Sequence, residues 1–210
     1  MPDINPWYNI PLEDYERHMS HYMVGQAALL NRLTKKYLDE IKPVTAIFLG
    51  ISGGNGLEHI DNSITKTVYG IDINPEYLNT ANKRYGDSIG SLRLLNLDIV
   101  KHSETICQAD FIWAALILEY TGVDKVLEFS NNNLHKDGHL VVSIQSNNSQ
   151  QTVTNTGIET IKKAGELFSL VDPENLLSKA AENGYRLIAN EENILPGRKS
   201  IKSFHFMPVS

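Results

Sequence analysis

Four glycines lie within residues 48–60, FLGISGGNGLEHI, directly after an apolar stretch. Glycine loses more conformational entropy on folding than any other residue, so such a cluster is typical of a backbone that something must approach closely. Two further apolar runs carry an acidic residue near their ends, Asp72 in TVYGIDI and Asp98 in SLRLLNLDI. A carboxylate about 20 residues after a glycine-rich loop can bind both hydroxyls of a ribose. The spacing therefore indicates a nucleotide-like ligand.

Two kinds of nucleotide-binding loop fit this segment poorly. A phosphate-binding loop of the form GxxxxGK[ST] is excluded, because Asn55 stands at the second glycine position counted from Gly50 and the loop contains no lysine. The dinucleotide fingerprint GxGxxG fits Gly54 and Gly56 but has His59 where the third glycine must allow helix packing. A nicotinamide or flavin enzyme with a degenerate fingerprint therefore remains an alternative.

A third kind of loop fits best. Residues 50–56, GISGGNG, resemble the GxGxG loop of class I S-adenosylmethionine-dependent methyltransferases, with Ser52 at the middle glycine position. The segments YGIDINPEYL, LLNLDI, DFIWAALILEY and LHKDGHLVVSIQ resemble the later strand motifs of that family in the right order. The resemblance covers residues 44–145 closely and the closing part, from DPENLL to FHFM, in pattern only. It implies S-adenosylmethionine as the cofactor.

The resemblance also implies which residues bind the methionine and ribose parts of that cofactor. The backbone at Gly50, Ser52 and Gly54 would wrap the methionine part. Asp72 would hold the ribose, and the backbone of Ala114 would lie near the methionine amino group.

For the adenine, the resemblance implies Ile73 against one face and Asp98 with the amide of Ile99 at the edge. The sequence departs from the family at two positions. Phe48 stands where an acidic residue usually begins the loop, and Ser52 adds a side chain where glycine is usual.

Candidates for the chemistry follow the predicted fourth strand. Glu119 is a possible base or orienting carboxylate on the acceptor side, although it could instead cap or pair near the helix that begins around residues 121–124. The [DN]-P-P-[YF] signature of the exocyclic-amine branch is absent there. Cys107 has no preceding proline and is predicted to be inert.

The N-terminal residues form an amphipathic pattern. Apolar side chains recur at spacings of three and four from Leu12 to Ile41, which predicts a helix that Gly25 divides and Pro43 ends. Residues 1–43 are predicted to be a helical cap or lid over a cofactor-binding Rossmann-like domain at 44–210. His18 and His21 could be half of a metal site, but no third ligand follows, so no metal is predicted.

Strands and helices alternate through the rest of the chain. Apolar strand runs are expected at 44–50, 67–73, 91–99, 111–116, 139–145, 185–190 and 200–207. Helices with clear start and stop residues separate them, and Asn74 and Asp172 are expected N-caps. A turn is expected at HKDG before the fifth strand, and the last two strands are expected to pair antiparallel. The predicted fold is α/β: a three-layer sandwich around a doubly wound, mainly parallel seven-stranded sheet with a final antiparallel strand. Residues 146–172 are a second predicted lid that would set acceptor choice.

Composition limits the classes of partner. The chain has 210 residues and a formal net charge of −6, so it lacks the basic character of a general nucleic-acid binder. The modest basic clusters contain Lys162, Lys163, Arg198, Lys199 and Lys202. The N-terminal sequence shows no signal-peptide pattern and no apolar run is long enough to span a bilayer, which predicts a cytoplasmic protein without a membrane partner.

These observations favour methyl transfer from S-adenosylmethionine to a small-molecule acceptor. A non-catalytic cofactor- or partner-binding module on the same fold, an NAD(P)-dependent oxidoreductase and a methyltransferase with an RNA or protein acceptor remain alternatives. The identity of the acceptor and the oligomeric state stay open.

Overall fold

The computed structural model describes residues 5–102, 104–147 and 153–209. Within these residues the chain forms one seven-stranded sheet. Its strands are β1 (Thr45–Leu49), β2 (Thr67–Asp72), β3 (Leu92–Asn96), β4 (Ala109–Ala115), β5 (Leu134–Asn147), β6 (Tyr185–Ile194) and β7 (Lys199–Pro208). The strand order is β3-β2-β1-β4-β5-β7-β6.

Strand direction follows the predicted pattern. Strands β1 to β5 pair in parallel, and β7 lies antiparallel between β5 and β6. The chain order reverses between β1 and β4, which are neighbours in the sheet. In open α/β sheets, ligands bind at such a switch point, outside the carboxyl ends of the strands. The predicted fold class, including the antiparallel final pair, is confirmed.

Seven α-helices surround the sheet in the described residues. They are α1 (Leu12–Ser20), α2 (Gln26–Ile41), α3 (Pro75–Tyr85), α4 (Leu118–Thr121), α5 (Val123–Asn133), α6 (Glu159–Leu167) and α7 (Pro173–Glu182). The predicted division at Gly25 is confirmed, since this residue adopts φ 65° between α1 and α2. The predicted N-caps are also present: the side chain of Asn74 accepts a hydrogen bond from the amide of Glu76, and that of Asp172 accepts from two amides of α7.

The two faces of the sheet form two hydrophobic cores. Successive strand side chains point to opposite faces, so Ile47 joins the core under α5 and α7, whereas Phe48 joins the core under α2. On the α2 face, Tyr37 packs against Trp113 with ring centroids 5.7 Å apart. Both faces of the central strands are therefore covered, which explains their continuous apolar sequence.

One sequence expectation needs correction. The turn expected at HKDG does not precede the fifth strand, because β5 already begins at Leu134. The pairing of β4 with β5 instead shifts its register between Ala109 and Phe111.

Residues 148–152 of the predicted second lid, 146–172, lie outside the described residues. The described part contains a helix, α6, that the sequence analysis did not predict. The apolar side of α6 is buried, because Ile158, Ile161 and Ala164 pack against Ile10. No helix among the described residues is both long and apolar enough to cross a bilayer.

Candidate active site

A cavity of about 580 Å³ lies at the carboxyl ends of the central strands. Small-molecule sites usually measure about 300–1,000 Å³ and favour switch points of this kind. One wall comes from the loop after β1 and the ends of β2, β3 and β4. The N-terminal segment, defined as residues 5–24, forms a second wall, and α6 with the ends of β5 and β7 forms the third.

The glycine-rich loop enters the cavity through two residues with left-handed backbone. Gly50 has φ 65° and Ser52 has φ 54°. Serine rarely adopts this conformation, and backbone strain of this kind is concentrated at functional sites. The hydroxyl oxygen of Ser52 is buried and has no hydrogen-bond partner. The side chain at the atypical loop position therefore supplies an unsatisfied polar atom at the cavity wall.

The remaining loop glycines serve packing. Gly54 does not line the cavity: a Cβ atom there would lie 2.7 Å from the ring of Tyr85 in α3. A Cβ atom at Gly56 would lie 2.7 Å from Thr34 in α2. Gly54 and Gly56 allow the loop to pack tightly against α3 and α2. From the sequence alone, glycines needed for this packing could not be distinguished from glycines needed for the close approach of a ligand.

Asp72 lies at the centre of the site, at the end of β2. Its carboxylate accepts hydrogen bonds from the amides of Ser52 and Asn74, each at 2.9 Å, one on each oxygen. Burial raises the pKa of Asp72, and these backbone hydrogen bonds oppose that shift. Each carboxylate oxygen keeps a second lone pair, so both can still accept a ligand hydroxyl.

The other predicted cofactor residues fall in two groups. Ile73, Asp98 and Ile99 line the cavity beyond Asp72, and the carboxylate of Asp98 accepts from the amide of Val100 at 3.0 Å. Ala114 does not line the cavity, because its side chain belongs to the core below. The wall at the end of β4 is formed instead by the next three residues, Ala115, Leu116 and Ile117.

Glu119 is also outside the cavity wall. It is 2% exposed, and its Oε1 accepts a hydrogen bond from the backbone amide of Gln145 at 2.7 Å. Its Oε2 is buried without a partner, and burial raises the pKa of this carboxyl to about 7. Gln145 does line the cavity, and its side-chain oxygen accepts from Gln26 at 2.6 Å. Glu119 thus holds the strand that presents Gln145.

Aromatic rings cover much of the cavity wall. Trp7 packs edge-to-face against Tyr15 and Tyr120, with centroids 5.5 and 5.0 Å apart, and Tyr120 packs in the same way against Phe168 at 5.7 Å. The indole nitrogen of Trp7 is buried without a partner. Phe168 was missed from the sequence because it lies in a segment without clear periodicity. Because neighbouring rings are nearly perpendicular, they provide an apolar wall of ring faces and edges with polar tips.

His18 and Lys199 form a polar part of the cavity wall. The Nδ1 atom of His18 lies 2.8 Å from the hydroxyl oxygen of Thr156. Lys199, at the start of β7, is only 8% exposed and lines the same cavity. Burial lowers the pKa of His18 to about 4, and the charges of Lys199 and His21 add to the effect. The described residues contain no group of three side chains that could hold a metal ion.

Three of the basic residues noted in the sequence lie in different surroundings in the structure. Lys162 pairs with Glu159 on α6, and Lys202 pairs with Glu192 across β6 and β7. Lys199 lies inside the cavity.

The comparisons agree with this architecture. Residues 48–142 match the family model described as a methyltransferase domain. The magnesium protoporphyrin IX methyltransferase of Synechocystis PCC 6803, solved with bound S-adenosylhomocysteine, has a TM-score of 0.71 at 13% identity, covering 97% of this chain and 96% of that one. The N-methyltransferase NodS of Bradyrhizobium japonicum WM9, in complex with S-adenosylhomocysteine, has a TM-score of 0.66 at 14% identity, covering 99% of this chain and 100% of that one.

A third structure shows the same fold with an acceptor present. It is the geranyl diphosphate C-methyltransferase of Streptomyces coelicolor A3(2), in complex with Mg²⁺, geranyl diphosphate and S-adenosylhomocysteine. Its TM-score is 0.66 at 11% identity, with 89% of this chain and 82% of that chain covered. At these identities the likeness establishes the fold. No curated protein sequence matches the chain closely enough to be counted as a relative.

The residues present fit the cofactor that such a domain uses. The cavity offers a fixed carboxylate at Asp72, an unsatisfied hydroxyl at Ser52 and enough volume for a nucleoside joined to an amino acid. The matched residues 48–142 include this loop and this carboxylate. Residues 48–142 therefore match a methyltransferase domain, and the fold around them is that of methyltransferases solved with S-adenosylmethionine or S-adenosylhomocysteine bound.

Proposed function

We propose that the protein transfers the methyl group of S-adenosylmethionine to a small molecule bound in the same cavity. The observation that carries this proposal is the position of Asp72. Its carboxylate is fixed by two backbone amides at the switch point, beside a cavity with further room. A group held in this way is preorganised to bind a ribose.

The cofactor is proposed to lie across the ends of β1, β2 and β3. Gly50 and Ser52 would contact the methionine part, and the hydroxyl of Ser52 would gain the partner that it lacks. Asp72 would accept hydrogen bonds from the ribose. Ile73 and Ile99 would enclose the adenine, with Asp98 at its edge. Gly54 is given a packing role instead, because Tyr85 covers it.

The methionine amino group needs a further partner, because Phe48 replaces the acidic residue usual at the start of the loop. Phe48 is 3% exposed and packs edge-to-face against Phe111, so it cannot serve. We assign this role to the backbone where β4 ends, at Ala115 and Leu116. Leu116 has φ 54°, which turns the chain sharply at the cavity wall.

The bound cofactor supplies an activated methyl group on a sulfonium that is also the leaving group. The chain has to align the acceptor and exclude water, which is worth about 7–11 kcal/mol when the geometry is favourable. The aromatic wall of Trp7, Tyr15 and Tyr120 would provide much of that exclusion. Glu119 would act as a positioning residue through Gln145.

A small acceptor fits the walls better than a macromolecule. Helices enclose part of the cavity, because Met19 of α1 and Ile161 and Ala164 of α6 line it. Two structural neighbours carry names that state small acceptors, geranyl diphosphate and magnesium protoporphyrin IX. These names support a small-molecule class without indicating which molecule this chain methylates.

The test is calorimetric titration with S-adenosylhomocysteine. We expect micromolar binding by the wild type and at least tenfold weaker binding by Asp72→Ala. Asp137→Ala, at an exposed aspartate in β5, is the control and should bind like the wild type. Binding of NADH without binding of S-adenosylhomocysteine would favour an oxidoreductase instead. Cofactor binding without methyl transfer to a broad acceptor panel would favour a non-catalytic module.

A further inference from the structure

Methylation of a hydroxyl group requires that a proton leave the acceptor, and few side chains in the cavity can take it. The described titratable residues of the cavity wall are Tyr8, Tyr15, His18, Asp72, Tyr77, Asp98, Lys101, Tyr120 and Lys199. Phenols are protonated at neutral pH, and burial raises the pKa of Tyr15, Tyr77 and Tyr120 further. Lysines are ordinarily cations without a free lone pair, although burial lowers the pKa of Lys199. The two aspartates lie on the side assigned to the cofactor.

His18 is the remaining group in that set. It lies in α1 and is 6% exposed, so it faces the cavity from a largely dry position. Its Nδ1 atom lies 2.8 Å from the hydroxyl of Thr156, a distance that fixes the orientation of the ring. When Nδ1 carries the proton and donates it to that hydroxyl, Nε2 has a free lone pair and can accept a proton.

Lys199 determines which charge is favoured beside His18. Its side chain is buried and lines the same cavity, and its charge adds to burial in lowering the pKa of the imidazole. The other titratable neighbour is His21, at the end of α1. A positive charge at this point stabilises an oxyanion that forms on the acceptor and disfavours an alkylammonium product. Burial and this charge also lower the pKa of His18, so the imidazole passes the acceptor's proton on to solvent and does not keep it. The cluster therefore favours an oxygen nucleophile over a nitrogen nucleophile.

We propose, resting on the function given above, that His18 is the general base and that the acceptor is a hydroxyl compound with an aromatic or otherwise flat apolar body, such as a phenol. The rings of Trp7, Tyr15, Tyr120 and Phe168 receive that body. Thr156 is a positioning residue that holds the imidazole, and Lys199 stabilises the developing phenolate.

The step balances as follows. The acceptor oxygen attacks the methyl carbon, and an oxygen–carbon bond forms as the carbon–sulfur bond breaks. The electron pair of the broken bond stays on sulfur, which becomes a neutral thioether. The hydroxyl proton moves to Nε2 of His18 and leaves to solvent after the product dissociates. No oxidant or reductant is required.

The experiment uses the full chain, S-adenosylmethionine labelled in the methyl group, and two probes of the same shape, 4-methylphenol and 4-methylaniline. We expect label in the phenol and at least tenfold less in the aniline. His18→Gln should lower kcat for the phenol by about 100-fold or more, since general-base catalysis contributes about 10²–10⁴-fold. Its affinity for S-adenosylhomocysteine, measured by calorimetry, should stay within twofold of the wild type.

His21→Gln is the matched control, because His21 lies three residues further along the same segment and outside the cavity wall. It should leave kcat within twofold. Thr156→Val should lower kcat and shift the pH profile without a comparable change in KM, as expected for a residue that acts through His18.

Three results would overturn the proposal. One is equal kcat for His18→Gln and the wild type. Another is preferential methylation of the aniline. The third is the failure of the wild type, supplied with S-adenosylmethionine, to methylate the phenol. In each case cofactor binding by the wild type would remain, which separates this failure from failure of the proposed function.

Discussion

The buried carboxyl of Glu119 makes stability depend on pH in a defined direction. Burial raises its pKa from 4.5 to about 7, because the charged form loses hydration and only one of its oxygens is hydrogen-bonded. Below pH 4.5 the carboxyl is protonated in both folded and unfolded chains. Between pH 4.5 and 7 the folded chain binds the proton of Glu119 more tightly than the unfolded chain does. The contribution of this carboxyl to the free energy of unfolding is therefore fully present below pH 4.5 and is lost as the pH rises to 7.

A shift from 4.5 to about 7 corresponds to about 3 kcal/mol at 1.36 kcal/mol per pKa unit, as an upper estimate. Glu119→Gln removes the titration and keeps an oxygen that can accept from the amide of Gln145. The free energy of unfolding of Glu119→Gln, relative to the wild type, should therefore rise by as much as about 3 kcal/mol between pH 4.5 and pH 8.

Urea denaturation at a series of pH values measures this difference. Glu166→Gln, at an exposed position on α6, controls for the general loss of one negative charge and should show no comparable trend. A relative stability of Glu119→Gln that stays constant from pH 4.5 to pH 8 would refute the reasoning about its buried carboxyl.

Two further pairs of variants test the loop and the helix that follow the central strands. Gly54→Ala should lower the free energy of unfolding by about 2–4 kcal/mol, because φ is 87° and the new methyl group meets the ring of Tyr85. Gly157→Ala is the control: φ is 77°, but a Cβ atom there would meet nothing within 4 Å. It should cost only about 1–2 kcal/mol in the same urea assay. Asn74→Ala and Asp172→Ala should each cost about 1 kcal/mol of stability through loss of an N-cap. Only Asn74→Ala should also weaken the binding of S-adenosylhomocysteine measured by calorimetry. The reason is that the side-chain amide of Asn74 donates a hydrogen bond to the carbonyl of Trp7, which lines the cavity. Equal affinity in both variants would contradict that link.

The sequence predicted the features that depend on neighbouring residues. Strand runs, the N-caps at Asn74 and Asp172 and the division at Gly25 are local, and each matches the structure. Asp72 was found because a carboxylate at a strand end, a fixed distance after a glycine-rich loop, is itself a local pattern. Its placement on the cavity wall follows from the parallel sheet.

The features that the sequence did not predict depend on contacts between distant segments. Gln26 bonds Gln145 across 119 positions, and His18 bonds Thr156 across 138. Lys199 looked like part of a surface cluster until the pairing of β7 with β5 placed it in the cavity. No local pattern encodes these partnerships, because they arise only when the sheet assembles.

The central claim is that Asp72 and the loop at Gly50 hold the cofactor at the switch point. A crystal structure with S-adenosylhomocysteine bound tests it most directly. We expect both ribose hydroxyls within hydrogen-bond distance of the Asp72 carboxylate, about 2.5–3.0 Å, and the homocysteine part along Gly50 and Ser52. A ligand bound elsewhere, with Asp72 still bonded only to the backbone amides of Ser52 and Asn74, would contradict the claim.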